Sequence, residues 1–158
     1  MRSALVITVS DRSAAGERDD TSGPTAVQLL EEAGFAVGEP VVVPDEVSAI
    51  ATVLKAAIAE GVALVVTTGG TGLGPRDVTP EATTSVIDRE VPGLTEMMRA
   101  AGRAKTPLAA LSRAVAGTAG GTLIINLPGR PTGVTESLEA VLEVLPHALD
   151  VLAGPTDH

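Results

Sequence analysis

The chain has 158 residues, a formal net charge of −9, a single Phe, and no Tyr, Trp or cysteine. The acidic balance argues against duplex nucleic acid, and the missing aromatics remove the platforms on which single-stranded bases stack. Without cysteine there are no disulfides, thiolate metal sites or Cys nucleophiles, so a single domain with an aliphatic core is expected.

SALVITVS over 3–10 is a near-continuous β-branched apolar run. It predicts a strand buried on both faces, as in a parallel sheet. The run is too short for a membrane span and no small-residue cleavage site follows, so a soluble, cytoplasmic protein is expected. TSGPTAVQLLEEAG (21–34) predicts a helix with Ser22 as N-cap, Pro24 in its first turn and Gly34 as its stop. VVVP (41–44) is a second strand, EVSAIATVLKAAIAEG (46–61) a second helix, and VALVVTT (62–68) a third strand. This βαβαβ order points to a doubly wound parallel sheet. After a glycine-rich loop, Thr79 and Pro80 open a helix that should run to about Glu90. Helices are also expected over 92–102 and 106–112, with Met97 and Met98 both in the core. RAVAGTAGGTLIINLP (113–128) predicts two strands turning at Gly120-Gly121, and the final helix should span about 134–152. The expected architecture is α/β: a single-domain, three-layer sandwich over residues 1–153, with a mostly parallel central sheet flanked by helices. Residues 154–158 form a short frayed tail.

The loops carry the chemistry. SDRSAAGERDDTSG follows the first strand, PDE the second, GGTGLGPRD the third and NLPGRPTG the last. In a parallel sheet the first three emerge at the carboxyl edge, where open α/β sheets bind ligands. The fourth joins them if its strand is also parallel. GGTGLG matches neither the Walker loop nor the dinucleotide fingerprint. It reads either as a tight strand-to-helix turn or as a backbone cradle for an anion. Arg76, Asp77 and the helix start at Thr79 favour anion plus metal. Asp77 either pairs with Arg76 or shares a metal ion. Asp45 either caps the helix it precedes or holds Mg²⁺ on phosphate oxygens. Ser10, Asp11 and Arg12 form either a strand end with a solvated ion pair or a pocket wall. NLPGRP is either a stiff turn or part of that wall. His147 and His158 have no partner motif and receive no role.

Taken together, SDR, TTGGTGLGPRDVTPEA and NLPGRP, in this order along nearly the whole chain, resemble the Mog/MoaB family of molybdenum cofactor biosynthesis proteins. The resemblance implies a molybdopterin-binding-domain fold that usually forms homotrimers. It implies a molybdopterin adenylyltransferase that uses ATP and Mg²⁺, with hand-over to a molybdenum insertase. It places catalytic, metal-holding roles on Asp45 and Asp77, and nucleotide or phosphate binding on Gly69, Gly70, Thr71, Gly72 and Arg76. The pterin pocket would include Ser10, Asp11, Arg12, Asn126, Pro128 and Gly129. Arg130 departs from the family pattern, where many members carry serine. The same fold is also compatible with a non-catalytic pterin-binding scaffold, a nucleotide pyrophosphatase or a purely structural trimer.

Overall fold

The computed structural model describes residues 1–155. Along the chain run β1 (Ser3–Val9), α1 (Asp11–Ala14), α2 (Ser22–Glu32), β2 (Ala36–Val37), β3 (Val41–Val43), α3 (Val47–Ala59) and β4 (Leu64–Thr68). Then come α4 (Thr79–Thr84), β5 (Arg89–Glu90), α5 (Pro92–Arg103) and a 3-10 helix (Pro107–Leu111). The chain closes with β6 (Ala116–Ala119), β7 (Thr122–Leu127), α6 (Pro131–Leu142) and α7 (Leu145–Leu152). The sheet order is β2-β1-β4-β7-β6-β5, with β3 also paired to β1. β1, β2, β3, β4 and β7 are parallel, while β6 and β5 add an antiparallel edge.

Side-chain alternation along the central strands makes the three layers. Ala4, Val6, Leu64, Val66, Leu123 and Ile125 face the layer of α2, α5, α6 and α7. Ile7, Val9, Val65 and Ile124 face α3 and α4. Each buried Val, Leu or Ile contributes about 1.5–3 kcal/mol, which lets aliphatic packing replace aromatic packing. Phe35 joins the first layer. Met98 is buried as expected, whereas Met97 is turned outward and exposed. Among the described residues no helix is long and apolar enough to cross a membrane.

Several elements depart from the expectation. The helix opened by Pro80 stops at Thr84, because Arg89 and Glu90 pair with Thr118 and Gly117 of β6. Gly117 permits that pairing, since a Cβ there would collide with the Arg89 carbonyl and Ile87. The final helix breaks into α6 and α7 around Val144. Pro146 has no N–H to donate and its ring crowds the preceding turn, so one continuous helix is disfavoured. Ser22 does not cap α2; Thr21 holds the cap position without a side-chain bond, and the Asp20 carboxylate just before it accepts from the Gly23 N–H at 2.9 Å. Ser22 instead donates to the Gly129 carbonyl and ties α2 to the loop after β7. Thr79 does not cap α4 with its side chain; its hydroxyl donates to the Gly69 carbonyl at 2.9 Å. β2 and α1 are too short to show a period, and the sequence pattern does not mark them. The tail expectation falls partly on residues 156–158, which lie outside the described residues.

Candidate active site

The carboxyl ends of β1, β3, β4 and β7 open onto one cleft of about 830 Å³. Because β7 runs parallel to β4, the loop after it joins the other three. Segments 8–13 and 18–22 form one wall, and 68–70 with Asp45 and Asp77 form the floor. Gly129, Arg130 and Pro131 close the far side. The sheet divides here: α2 packs on one face and α3 on the other, so the cleft lies at the topological switch point.

The acidic side is a hydrogen-bonded unit. Ser10 caps α1, its Oγ accepting from the Ser13 N–H at 3.1 Å. Asp45 and Asp11 then exchange backbone contacts. The Asp11 N–H donates to Asp45 Oδ2 at 2.8 Å, and the Asp45 N–H donates to Asp11 Oδ1 at 2.9 Å. Asp45 therefore does not cap its own helix, where Glu46 holds the cap position. It steadies the start of α1 instead. Arg76 does not pair with Asp77. Its Nε and Nη2 grip the two Asp11 oxygens, each at 3.0 Å. This fork, helped by the Asp45 N–H, holds the Asp11 carboxyl below the usual carboxylate range.

Asp45 behaves oppositely. Partial burial raises its pKa, and the nearby Asp11 and Asp77 charges push the same way. An acid raised in the folded state binds its proton more tightly there than when unfolded. The penalty for ionising it is absent below the ordinary aspartate value and fully present above the raised one. Asp45→Asn keeps an acceptor for the Asp11 N–H and removes the charge. This variant is expected to melt at or slightly above wild type at pH 7 without divalent metal. Its advantage should vanish as the pH is taken below the ordinary aspartate range. Thermal melts across pH check this, and a variant that melts several degrees lower at pH 7 contradicts it.

The glycine loop wraps a carboxylate of its own. Gly69 and Gly70 have φ of +92° and +70°, which bulky residues avoid. A Cβ on Gly70 would strike Thr79 Oγ1 and lie 3.2 Å from Asp45 Oδ1. Asp77 Oδ2 accepts from the Gly74 N–H at 2.9 Å and lies 3.0 Å from where a Gly72 Cβ would stand. Asp45 Oδ1 and Asp77 Oδ1 carry no hydrogen bond among the described residues. The Gly70 N–H likewise has no partner there.

Of the residues expected in the pocket, Ser10, Asp11, Arg12, Asp45, Gly69, Gly70, Asp77 and Gly129 line the cleft, as does Arg130. Thr71, Gly72, Arg76, Asn126 and Pro128 do not. Thr71 is buried, and its carbonyl accepts from the Arg113 N–H at 2.8 Å. Asn126 is fully buried in the sheet. Its Nδ2 donates to Thr67 Oγ1 at 3.0 Å and Thr83 Oγ1 at 2.9 Å, while Oδ1 accepts from the Val115 N–H at 3.1 Å. It is a clamp between β4, α4 and the lead into β6. Thr8, Arg18, Asp20 and Ser22 also stand in the wall, although the sequence motifs do not point to them. Asp20 bonds Thr8 Oγ1 at 2.7 Å, and only its place three residues before Gly23 signals its role.

Arg12, Arg18 and Arg130 come from three different segments and line the same cleft without an ion pair among the described residues. The α6 N-terminus, at Pro131, opens beside them, and helix N-termini favour anions, whereas the α2 N-terminus already faces the Asp20 carboxylate. The cleft therefore mixes charges: Asp11, Asp19, Asp20, Asp45 and Asp77 line it together with these three arginines.

A family model described as a probable molybdopterin binding domain matches residues 5–147. The crystal structure of the molybdopterin biosynthesis enzyme MoaB from Thermus thermophilus superposes with a TM-score of 0.92, at 54% identity over 98% of each chain. This chain belongs to the Mog/MoaB family. A molybdenum cofactor biosynthesis bifunctional protein of Synechococcus elongatus is 43% identical over 155 residues, covering 98% of this chain and 48% of that protein. The chain thus spans about half the length of that curated relative. A molybdopterin adenylyltransferase of Helicobacter pylori (strain J99) is 39% identical over 155 residues, covering 94% of this chain and 86% of that protein. The Mog/MoaB segments noted in the sequence divide their labour in the fold. SDR and the first two glycines of GGTG reach the cleft directly, whereas Asn126 of NLPGRP braces it from beneath.

Proposed function

We propose that this cleft transfers AMP from ATP to the terminal phosphate of molybdopterin. The observation that carries the reading is that uncommitted carboxylate oxygens and, among the described residues, unpaired arginines share one cleft. Asp45 and Asp77, each with an uncommitted oxygen, line it with three arginines that form no ion pair among the described residues. Membership of a family whose relatives include molybdopterin adenylyltransferases supports the choice of substrates. A phosphate oxygen of molybdopterin attacks the α-phosphorus of ATP, the α–β bridging P–O bond breaks, and pyrophosphate leaves. No nucleophilic side chain is needed. The chain aligns two polyanions and offsets their charge.

Arg12, Arg18 and Arg130, with the α6 N-terminus, hold phosphate groups. The Gly70 N–H donates to a phosphate oxygen at the floor. Asp45 and Asp77 are the residues that would hold Mg²⁺. Among the described residues no three His, Cys, Asp or Glu side chains cluster as a metal site. A two-carboxylate donor set nevertheless fits Mg²⁺, which keeps several waters and takes substrate phosphates as its remaining ligands. When bound, the ion would neutralise charge on the triphosphate. Burial raises Asp45 most, and the Asp11 and Asp77 charges that add to it are what a cation would offset.

Arg130→Ser is expected to weaken molybdopterin binding about tenfold at low salt and progressively less as salt rises, because screening weakens the charge. Calorimetric titration across salt measures this; an unchanged dissociation constant throughout places Arg130 outside the ligand's reach.

The assembly we propose is a cytoplasmic homotrimer that passes its product to a molybdenum insertase. Exposed Leu73, Leu108 and Leu111 support self-association, since the Thr71–Arg113 backbone bond draws their segments together. Light scattering at micromolar concentration should give about three chains' mass; one chain's mass contradicts the trimer.

Pyrophosphate release from ATP, measured with and without molybdopterin, tests the function. Release that depends on molybdopterin supports it. Binding without release indicates a scaffold, release without molybdopterin a pyrophosphatase, and neither a purely structural chain.

A further inference from the structure

Arg113 lies outside the cleft lining, 41 and 36 residues along the chain from Gly72 and Asp77, yet its side chain reaches the glycine loop at both of them. Its Nε donates to the Gly72 carbonyl at 2.8 Å and Nη2 donates to the Asp77 carbonyl at 2.7 Å. Nη1 pairs with Glu81 of α4 at 2.7 and 3.1 Å. Its own N–H donates to the Thr71 carbonyl at 2.8 Å. One guanidinium thus ties both ends of the segment 72–77 and anchors them to the helix that follows.

The segment that carries Arg113 is itself fixed from two sides. Arg99 of α5 donates to the Ser112 carbonyl at 3.3 Å and the Ala114 carbonyl at 3.2 Å. Asn126 accepts from the Val115 N–H at 3.1 Å. Neither contact reaches the cleft. Their joint effect is to present the guanidinium to the loop at a fixed distance.

We infer that Arg113 is the positioning residue for Asp77. It sets the backbone from which the Asp77 carboxylate enters the cleft, and it acts on any cation or phosphate there only through that carboxylate. A planar fork suits the task because three acceptors on two different segments must be met at once. Lysine has a single point charge, can keep the Glu81 pair, and cannot span both carbonyls. The consequence for catalysis rests on the adenylyl-transfer reading; the consequence for the loop does not.

The test compares wild type, Arg113→Lys, Arg113→Gln and, as a control for the ion pair alone, Glu81→Gln. Circular dichroism establishes that each is folded at the working temperature. Hydrogen exchange is then read at two amides inside the loop, Gly74 N–H on Asp77 Oδ2 and Asp77 N–H on the Gly74 carbonyl. Both are expected to exchange at least tenfold faster in Arg113→Lys and Arg113→Gln, with α2 and α6 protection unchanged and with Glu81→Gln close to wild type. In turnover, kcat should fall about tenfold or more and the Mg²⁺ concentration for half-maximal rate should rise, while KM for molybdopterin stays within twofold. Unchanged loop exchange in Arg113→Lys overturns the positioning role. Faster exchange with a raised KM and unchanged kcat overturns its direction toward Asp77. If wild type itself gives no turnover, the exchange result alone decides the inference, and the functional reading fails separately.

Discussion

Asp77→Asn is expected to fold normally, to bind molybdopterin as wild type does, and to lose roughly 10²–10³ in adenylylation rate, the scale for removing one electrostatic stabiliser of a transition state. The two oxygens of this side chain differ: only Oδ2 is hydrogen-bonded among the described residues. Oδ2 holds the Gly74 N–H at 2.9 Å, a bond that the Asn carbonyl oxygen can keep. The loop should therefore retain its shape, and the melting temperature should change little. What the variant loses is negative charge at the cleft floor, beside Asp45. A carboxylate beside a bound phosphate repels it unless a cation lies between them. Two independent readouts follow. Mg²⁺ should raise the melting temperature of wild type and raise that of Asp77→Asn much less. Full activity in Asp77→Asn at limiting Mg²⁺ would leave Asp77 as a loop staple and nothing more.

The largest effect on stability is expected from Asn126→Ala. Three hydrogen bonds converge on this fully buried amide, from β4, α4 and the backbone before β6. A typical net hydrogen bond contributes about 0.5–1.5 kcal/mol, and each buried group left unpaired costs about 1–3 kcal/mol. The loss should total about 3–5 kcal/mol. At about 2–4 °C per kcal/mol for a domain of this size, melting should fall by roughly 10 °C or more. Calorimetric melting measures it. At low temperature the folded fraction should still bind molybdopterin with wild-type affinity, because Asn126 does not line the cleft. A near-normal melting temperature with lost affinity would reverse both statements and return Asn126 to the pocket.

The layered α/β sheet is legible in the sequence because its strands are long apolar runs and its helices have a clear period. β1, β4 and β7 need no tertiary information to be recognised. The elements that escape are those a pattern cannot carry. β5 has two residues and exists only because β6 offers Gly117 opposite Glu90. Pro146 signals the break between α6 and α7, but the apolar spacing runs through it. For the site, loop convergence follows from topology alone, and it brings Asp11, Asp45, Gly70, Asp77 and Gly129 together. Pairing does not follow. Arg76 sits next to Asp77 in sequence, yet the loop turns it toward Asp11, 65 residues away. Asn126 carries the polarity of a ligand-binding residue, and only its burial reveals a clamp. Arg113 lies in a stretch that reads as the start of a strand, with no local feature marking it. Its role depends on the fold bringing it to three acceptors, on Gly72, Asp77 and Glu81, that lie 41, 36 and 32 residues away along the chain.

The central claim is that AMP moves from ATP onto molybdopterin within this cleft. The most direct measurement uses ATP radiolabelled at its α-phosphorus, with purified protein, molybdopterin and Mg²⁺, followed by separation of the pterin product. The label is expected to migrate with the pterin, in proportion to the pyrophosphate released, and to fall by roughly 10²–10³ in Asp77→Asn. Label that stays on ATP, or appears only as free AMP while molybdopterin is bound, would contradict the account.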